Sequence, residues 1–161
     1  MRKLSLLLAV VLVLSVALVG CGDSGKSGGD GDTPTITIGV FEPLTGENGG
    51  GGKQEVAGME YANSIRPTVN VGGTEYQVVL KTADNQSVKE QAANAANSLV
   101  DSGAVVILGS YGSGVSIAAG DIFKEAQIPA IGASCTNPQV TEGNDYYFRV
   151  CFLDPFQGTV M

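Results

Sequence analysis

The chain has 161 residues, with 9 basic against 16 acidic side chains, a net charge of −7 and no histidine. The acidic balance argues against nucleic acid as a partner, because its binders need a positive footprint. Without histidine, Ser-His and Cys-His nucleophile pairs and His-based zinc sites are excluded within this segment.

Arg2 and Lys3 precede an apolar run from Leu4 to Val19 that only Ser5 and Ser15 interrupt. The run is short of the ~20 residues a membrane-spanning helix needs and fits the h-region of an export signal. It ends in Leu18-Val19-Gly20-Cys21, which resembles the bacterial lipobox. In a lipobox the cysteine thiol receives the lipid and the cysteine becomes the first mature residue. Residues 1–20 are therefore expected to be a lipoprotein signal peptide and Cys21 the lipidation site. A plain secretory signal with an incidental cysteine is the alternative. From Gly22 to Thr33 there is no apolar side chain, so the segment cannot bury surface to offset the entropy of ordering. Residues 21–33 are expected to be a disordered tether of the Gly/Ser type. Together these features imply an extracytoplasmic protein anchored to the cell membrane.

The folded part, residues 34–161, is of single-domain size. Thr35–Phe41 is β-branched and apolar and predicts a strand. A helix is expected from Lys53 to Ile65, then a loop from Arg66 to Thr74 containing Pro67 and Gly72-Gly73. Tyr76–Thr82 predicts a second strand. Ser87–Leu99 carries Val88, Ala92, Ala96 and Leu99 at helical spacing, with Gly103 as its C-terminal stop. Ala104–Leu108 is wholly apolar and reads as a strand buried on both faces. A helix over Val115–Ala126, strands over Ile128–Ile131 and Tyr146–Val150, and a helical turn from Pro155 complete the pattern. No internal repeat is present. Strands alternating with helices imply an α/β fold with a parallel sheet and right-handed crossovers. Ligands of such sheets sit beyond the carboxyl ends of the strands, which directs attention to the loops 42–52, 109–114 and 132–140.

None of these loops carries a catalytic signature. In Gly46-Glu-Asn-Gly-Gly-Gly-Gly-Lys53 the P-loop spacing fails at Glu47, and Gln54 stands where a Ser or Thr would hold magnesium. A nucleophile elbow fails because Leu108 and Tyr111 occupy the first glycine positions around Ser110 and Ser113. What remains at Gly109–Gly114 is a Gly/Ser turn presenting N–H groups and hydroxyls at a helix N-terminus, suited to an anion such as a carboxylate. Ser113 is equally readable as that helix's N-cap. Ala133–Pro138 follows the next strand at the same sheet edge, where Thr136 offers a hydroxyl and an N–H and Asn137-Pro138 marks a turn.

The segments ITIGVFEPLTG (36–46), VVILGSYGSGVSIAAGDIFKEAQIP (105–129), SCTNPQVT (134–141) and YYFRVCFLDPFQG (146–158) resemble the type I periplasmic binding proteins, specifically the branched-chain amino-acid (Leu/Ile/Val) binding proteins of ABC importers. The resemblance implies a periplasmic-binding-protein-like I fold: a parallel Rossmann-like sheet with helices on both faces. It assigns residues 34–161 to the first lobe of a two-lobe solute-binding protein and makes the chain an N-terminal fragment. It further implies a non-enzymatic protein without cofactor or metal, whose partners are a small amino-acid ligand and the membrane permease subunits. By the family pattern, Ser113, the backbone of Ser134, and Thr136 hold the ligand's head group, and Asp154 lies near the hinge and cleft. The family often places an aromatic residue near Gly51 to cover the ligand side chain, and this chain has only glycines there. Either Tyr111 substitutes, or the ligand is larger or more polar than leucine. A ligand-sensing ectodomain or regulator of the same fold, and an exported α/β enzyme, are the rival readings.

With Cys21 acylated, Cys135 and Cys151 remain. Adjacent parallel strands lie ~4.8 Å apart and disulfides span Cα distances of ~4.4–6.8 Å, so a Cys135–Cys151 bridge is feasible. The alternative is free thiols, with Cys151 buried as a small apolar residue. For the anchor, Cys21→Ala is expected to release the protein from membranes or leave it unprocessed. Intact-mass measurement of the unaltered protein, showing cleavage elsewhere and no acyl chains, would contradict the assignment.

Overall fold

The computed structural model describes residues 33–161. The expected signal peptide, Cys21 and all of the expected tether except Thr33 lie outside the described residues. The elements are β1 (Thr35–Glu42), α1 (Gly49–Ile65), β2 (Thr68–Val71), β3 (Thr74–Asp84), α2 (Lys89–Asp101), β4 (Val106–Leu108), α3 (Ser113–Glu125), β5 (Ala130–Gly132), a 3-10 turn (Pro138–Val140), β6 (Tyr147–Arg149) and α4 (Asp154–Val160). They build one sheet in the order β2-β3-β1-β4-β5-β6. β3, β1, β4, β5 and β6 run parallel, as the alternating pattern predicts.

β2 departs from the expected loop at 66–74. It pairs antiparallel with β3, Val71 opposite Thr74, through Gly72-Gly73 with both glycines at positive φ. Two such residues form the primed turn that matches the twist of a hairpin. Pro67 lies just before the strand, where its missing N–H costs nothing, and its carbonyl accepts the Val78 N–H at 2.8 Å.

α1 begins at Gly49, inside the glycine run expected to be loop. Glycine disfavours helix, but here close packing overrides propensity. A Cβ at Gly52 would lie 2.1 Å from the Pro43 carbonyl oxygen, so the first turn can sit on the Pro43-Leu44 backbone only without side chains. α2 starts at Lys89 rather than Ser87, because Gln86 and Ser87 adopt positive φ in a turn. Its buried face is Ala92, Ala95, Ala96 and Leu99, while Val88 is exposed. Gly103 ends the helix as expected: the Gly103 N–H reaches the Val100 carbonyl at 3.0 Å and the Ala104 N–H reaches that of Leu99 at 3.4 Å. That pairing satisfies the carbonyls a helix end leaves open.

One face of the sheet carries the core. Phe41, Ile107, Leu99, Ala119 and Phe123 are fully buried there, and the Phe41 and Phe123 rings meet edge to face at 5.5 Å. α2 and α3 supply the covering layer. Side chains alternate along a strand, so Ile38, Val78, Leu80 and Leu108 point to the opposite face. There, with Met59 and Ala62 of α1, they line an apolar groove of about 570 Å³. β4 is therefore buried chiefly through Ile107, with Val106 and Leu108 half-buried, not on both faces as its composition predicts.

The packing around α1 separates two neighbouring glycines. Gly52→Ala should destabilise the fold by ~1–3 kcal/mol, the scale of overpacking. Gly50, with nothing within 4 Å of an added Cβ, should tolerate alanine or gain up to ~1 kcal/mol from helix propensity. Denaturant unfolding of both variants checks the contrast.

Candidate functional site

The parallel register brings the carboxyl ends of β1, β3, β4 and β5 to one edge, where the loops after them meet. Polar contacts join these loops. Asp84, at the end of β3, accepts the Thr45 hydroxyl at 2.7 Å and the N–H groups of Leu44, Gln86 and Thr45 at 2.8, 2.8 and 3.3 Å. Burial pushes this carboxyl up, but those donors outweigh it and hold the carboxyl below its ordinary value. Asn85, fully buried, donates to the Ser110 hydroxyl at 2.9 Å and accepts the Ser87 N–H at 3.1 Å. Ser87 in turn accepts the Asn48 N–H at 3.0 Å, fixing the approach to α1.

The sequence-predicted residues converge on this edge. Ser113 is the first residue of α3 and not its N-cap, a position Gly112 takes with φ 119. Freed from capping, the Ser113 hydroxyl accepts the Asn137 N–H at 3.1 Å, which draws the 109–114 and 132–140 loops into one wall. Thr136 is half-buried in that wall, and among the described residues neither its hydroxyl nor its N–H is engaged. Its carbonyl accepts the Asp154 N–H at 3.1 Å. Asp154 thus adjoins the loop through its backbone at the start of α4, with an exposed side chain. Ser134 donates its hydroxyl to Glu55 of α1. The Tyr111 ring lies against Gly51, where an added Cβ would come within 2.6 Å of ring atoms. The glycine at 51 and the tyrosine at 111 therefore fill one space.

Cys135 and Cys151 are both free thiols in the structure. The Cys135 sulfur turns inward, so close to Gly132 that a Cβ there would lie 2.0 Å from it. Burial first, and Cys151 nearby second, push its thiol up to about 11. It packs as a small apolar group.

Several site residues were not anticipated from the sequence. Arg149 donates to the carbonyls of Cys135 at 2.7 Å and Pro138 at 3.1 Å and to the Thr141 hydroxyl at 2.9 Å, clamping the 132–140 loop from β6. Tyr147 donates its hydroxyl to the Gly109 carbonyl at 2.8 Å, and burial raises its phenol above the ordinary range. Glu42, fully buried at the end of β1, accepts the Tyr111 N–H at 2.7 Å. Burial first and the neighbouring Glu55 carboxyl second raise its carboxyl from 4.5 to about 9, against the opposing Tyr111 N–H. The one available signal was positional: an acid that closes an apolar strand at its carboxyl end.

Residues 35–160 match the model of a family described as periplasmic binding protein. The chain is 38% identical over 128 residues to an amino acid binding protein of Pseudomonas aeruginosa and 34% identical over 128 residues to a Leu/Ile/Val-binding protein homolog of Brucella melitensis. Each match covers 78% of this chain and 34% of the relative, so the chain spans about a third of the length of these relatives. Among solved structures it is similar to a leucine binding protein from Thermotoga maritima, with TM-score 0.73 and 37% identity over 79% of this chain and 35% of that one. It is also similar to a branched-chain amino acid transporter substrate binding protein from Streptococcus pneumoniae in complex with isoleucine, with TM-score 0.67 and 28% identity over 74% of this chain and 34% of that one.

The clamp at Arg149 yields a direct expectation. Lysine cannot reproduce a planar fork reaching several acceptors, so Arg149→Lys should cost ~1–3 kcal/mol, the scale for lost bonds to a charged group. Amide hydrogen exchange should quicken across residues 133–141 and little elsewhere. Unchanged exchange there would show that the loop holds without the clamp.

Proposed function

The chain belongs to the periplasmic binding protein family, and on that premise we propose that it is the first lobe of a two-lobe solute-binding lipoprotein of an ABC importer. Its ligand is an amino acid of the leucine, isoleucine and valine class or a related small zwitterion. The observation that carries this reading is the wall formed by the 109–114 and 132–140 loops, joined at Ser113 and Asn137, with the Thr136 donors unengaged among the described residues. A carboxylate placed against this wall meets the start of α3, where helix N–H groups point outward and favour negative charge. Thr136 and the Ser113 hydroxyl add donors of the kind that fix a carboxylate's orientation.

In this reading the first lobe positions the head group. The second lobe closes over it and supplies the acidic partner for the ammonium. Exclusion of water then strengthens each charged contact. The Tyr111 ring, seated on Gly51, offers an apolar surface to the ligand side chain. Cys21 ties the protein to the outer face of the membrane, where the permease reads the closed state. No part of this scheme requires catalysis. The relatives' names, which refer to binding, support that view.

Calorimetric titration of a protein joining this lobe to its second lobe, with leucine, isoleucine and valine, tests the reading. Ser113→Ala and Thr136→Ala should each weaken binding by ~1–3 kcal/mol with little change in stability. The 161-residue chain alone should bind none of the three tightly. Unchanged affinity in both variants would overturn the assignment of the wall, and tight binding by the chain alone would overturn the two-lobe account.

A further inference from the structure

Beneath the proposed ligand wall lie two acidic side chains to which the reading above gives no task. Glu42 comes from the end of β1 and is fully buried. One carboxyl oxygen, Oε2, accepts the Tyr111 N–H. The other, Oε1, has no donor among the described residues and occupies space that a Cβ at Gly109 would invade to 2.5 Å. Glu55 reaches the same place from α1. Its Oε1 accepts the Ser134 hydroxyl, and its buried Oε2 likewise lacks a donor. Glu55 lies close enough to raise the Glu42 carboxyl, and two ionised carboxylates could not satisfy each other, since both are acceptors only.

Among the described residues no counter-charge acts on Glu42. Burial, Glu55 and the Tyr111 N–H act on Glu42, and no Lys or Arg is among them. From β3, Asp84 pairs with Glu42 in register, but its carboxylate is occupied by Thr45, Leu44 and Gln86. From β6 the neutral Tyr147 phenol faces Glu42 across Gly109. From the β4–α3 loop the titratable group is the Tyr111 phenol. Glu42 is fully buried, and a like charge beside a buried carboxyl disfavours its ionisation. A single proton on Glu42, donated to Glu55, gives both orphan oxygens a partner.

We propose that Glu42 and Glu55 share one proton and act as a positioning pair that sets the spacing between the Tyr111 and Ser134 loops. Glu42 holds the first loop and Glu55 the second, and the shared proton joins the two holders. Removing that proton places two negative charges side by side under the wall and drives Glu55 away from Ser134. The assigned purpose, holding a ligand wall, rests on the function proposed above; the shared proton itself does not.

Nuclear magnetic resonance of the 161-residue chain, isotope-labelled at glutamate carboxyl carbons and backbone amides, tests this without any ligand. One glutamate should remain protonated through neutral pH and titrate only in the alkaline range. The Tyr111 and Ser134 amides should shift with the same midpoint. Glu42→Gln, whose amide can both accept from Tyr111 and donate to Glu55, should stay folded and abolish the alkaline step at both amides. Glu42→Leu should displace both amides at every pH. The sign for stability also follows. Between 4.5 and about 9 the folded chain holds one proton more than the unfolded chain, so stability should fall as pH rises through that window. Glu42→Gln should flatten this slope. Two glutamates titrating in the ordinary acid range, or an alkaline step that survives in Glu42→Gln, would overturn the pair. An intact alkaline step alongside unchanged ligand affinity in Ser113→Ala and Thr136→Ala would instead leave the pair standing and overturn the ligand reading.

Discussion

The position of β1 governs the rest of the molecule. It is hydrogen-bonded in parallel on both sides, to β3 from Thr35 to Glu42 and to β4 from Ile38 to Val40. Parallel pairing sends neighbouring strands in one direction, so their carboxyl ends emerge together and the polar residues there are forced into contact. Glu42, Asp84, Asn85 and Ser110 stand at or just past those ends. In an antiparallel arrangement half of them would lie at the opposite edge. The candidate site is thus a consequence of strand direction before it is a consequence of any side chain.

Most polar groups at that edge have partners, and the buried Asn85 and Ser110 are tolerable for that reason. Asn85 bonds Ser110 and Ser87, Asp84 accepts from the turn that follows β1, and Arg149 is spent on the 132–140 loop. An unpaired buried polar group costs far more than a paired one gains, so this network specifies one arrangement of the loops rather than adding much net stability. Tyr147 links the network to the core. Its ring lies 6.5 Å from that of Phe123, and its hydroxyl holds the Gly109 carbonyl. The packing of α3 on the sheet and the course of the loop preceding α3 are therefore set by the same side chain.

The two sheet faces are unequal. α2 and α3 close one face over Phe41, Ile107 and Phe123, whereas α1 leaves an apolar groove on the other. The inequality bears on the site. By strand alternation Glu42 lies on the α1 side of β1, and Glu55 of α1 lines that groove. An apolar surface of this kind normally meets another surface, and the chain spans only about a third of its relatives.

By itself the sequence determined the class of the fold. Alternating apolar strands and helices set the parallel sheet, the helix stop at Gly103 and the edge at which the 109–114 and 132–140 loops meet. These are local and periodic properties, written in spacing and in glycine placement. Ser113, Ser134 and Thr136 were candidates through the resemblance their segments carry, and the structure places them at that edge. Tertiary structure alone decided the remainder. It made a helix of the Gly49–Gly52 run because Pro43 leaves no room for side chains there, and it turned Ser113 from a cap into an acceptor for Asn137. It also brought Glu42 and Glu55 together across 13 positions of sequence, Arg149 onto the 132–140 loop, and Tyr111 onto Gly51. Such contacts join residues distant in the chain, and their energies depend on burial and on which donors remain unpaired. Neither quantity exists until the sheet has formed and the loops at its edge have met.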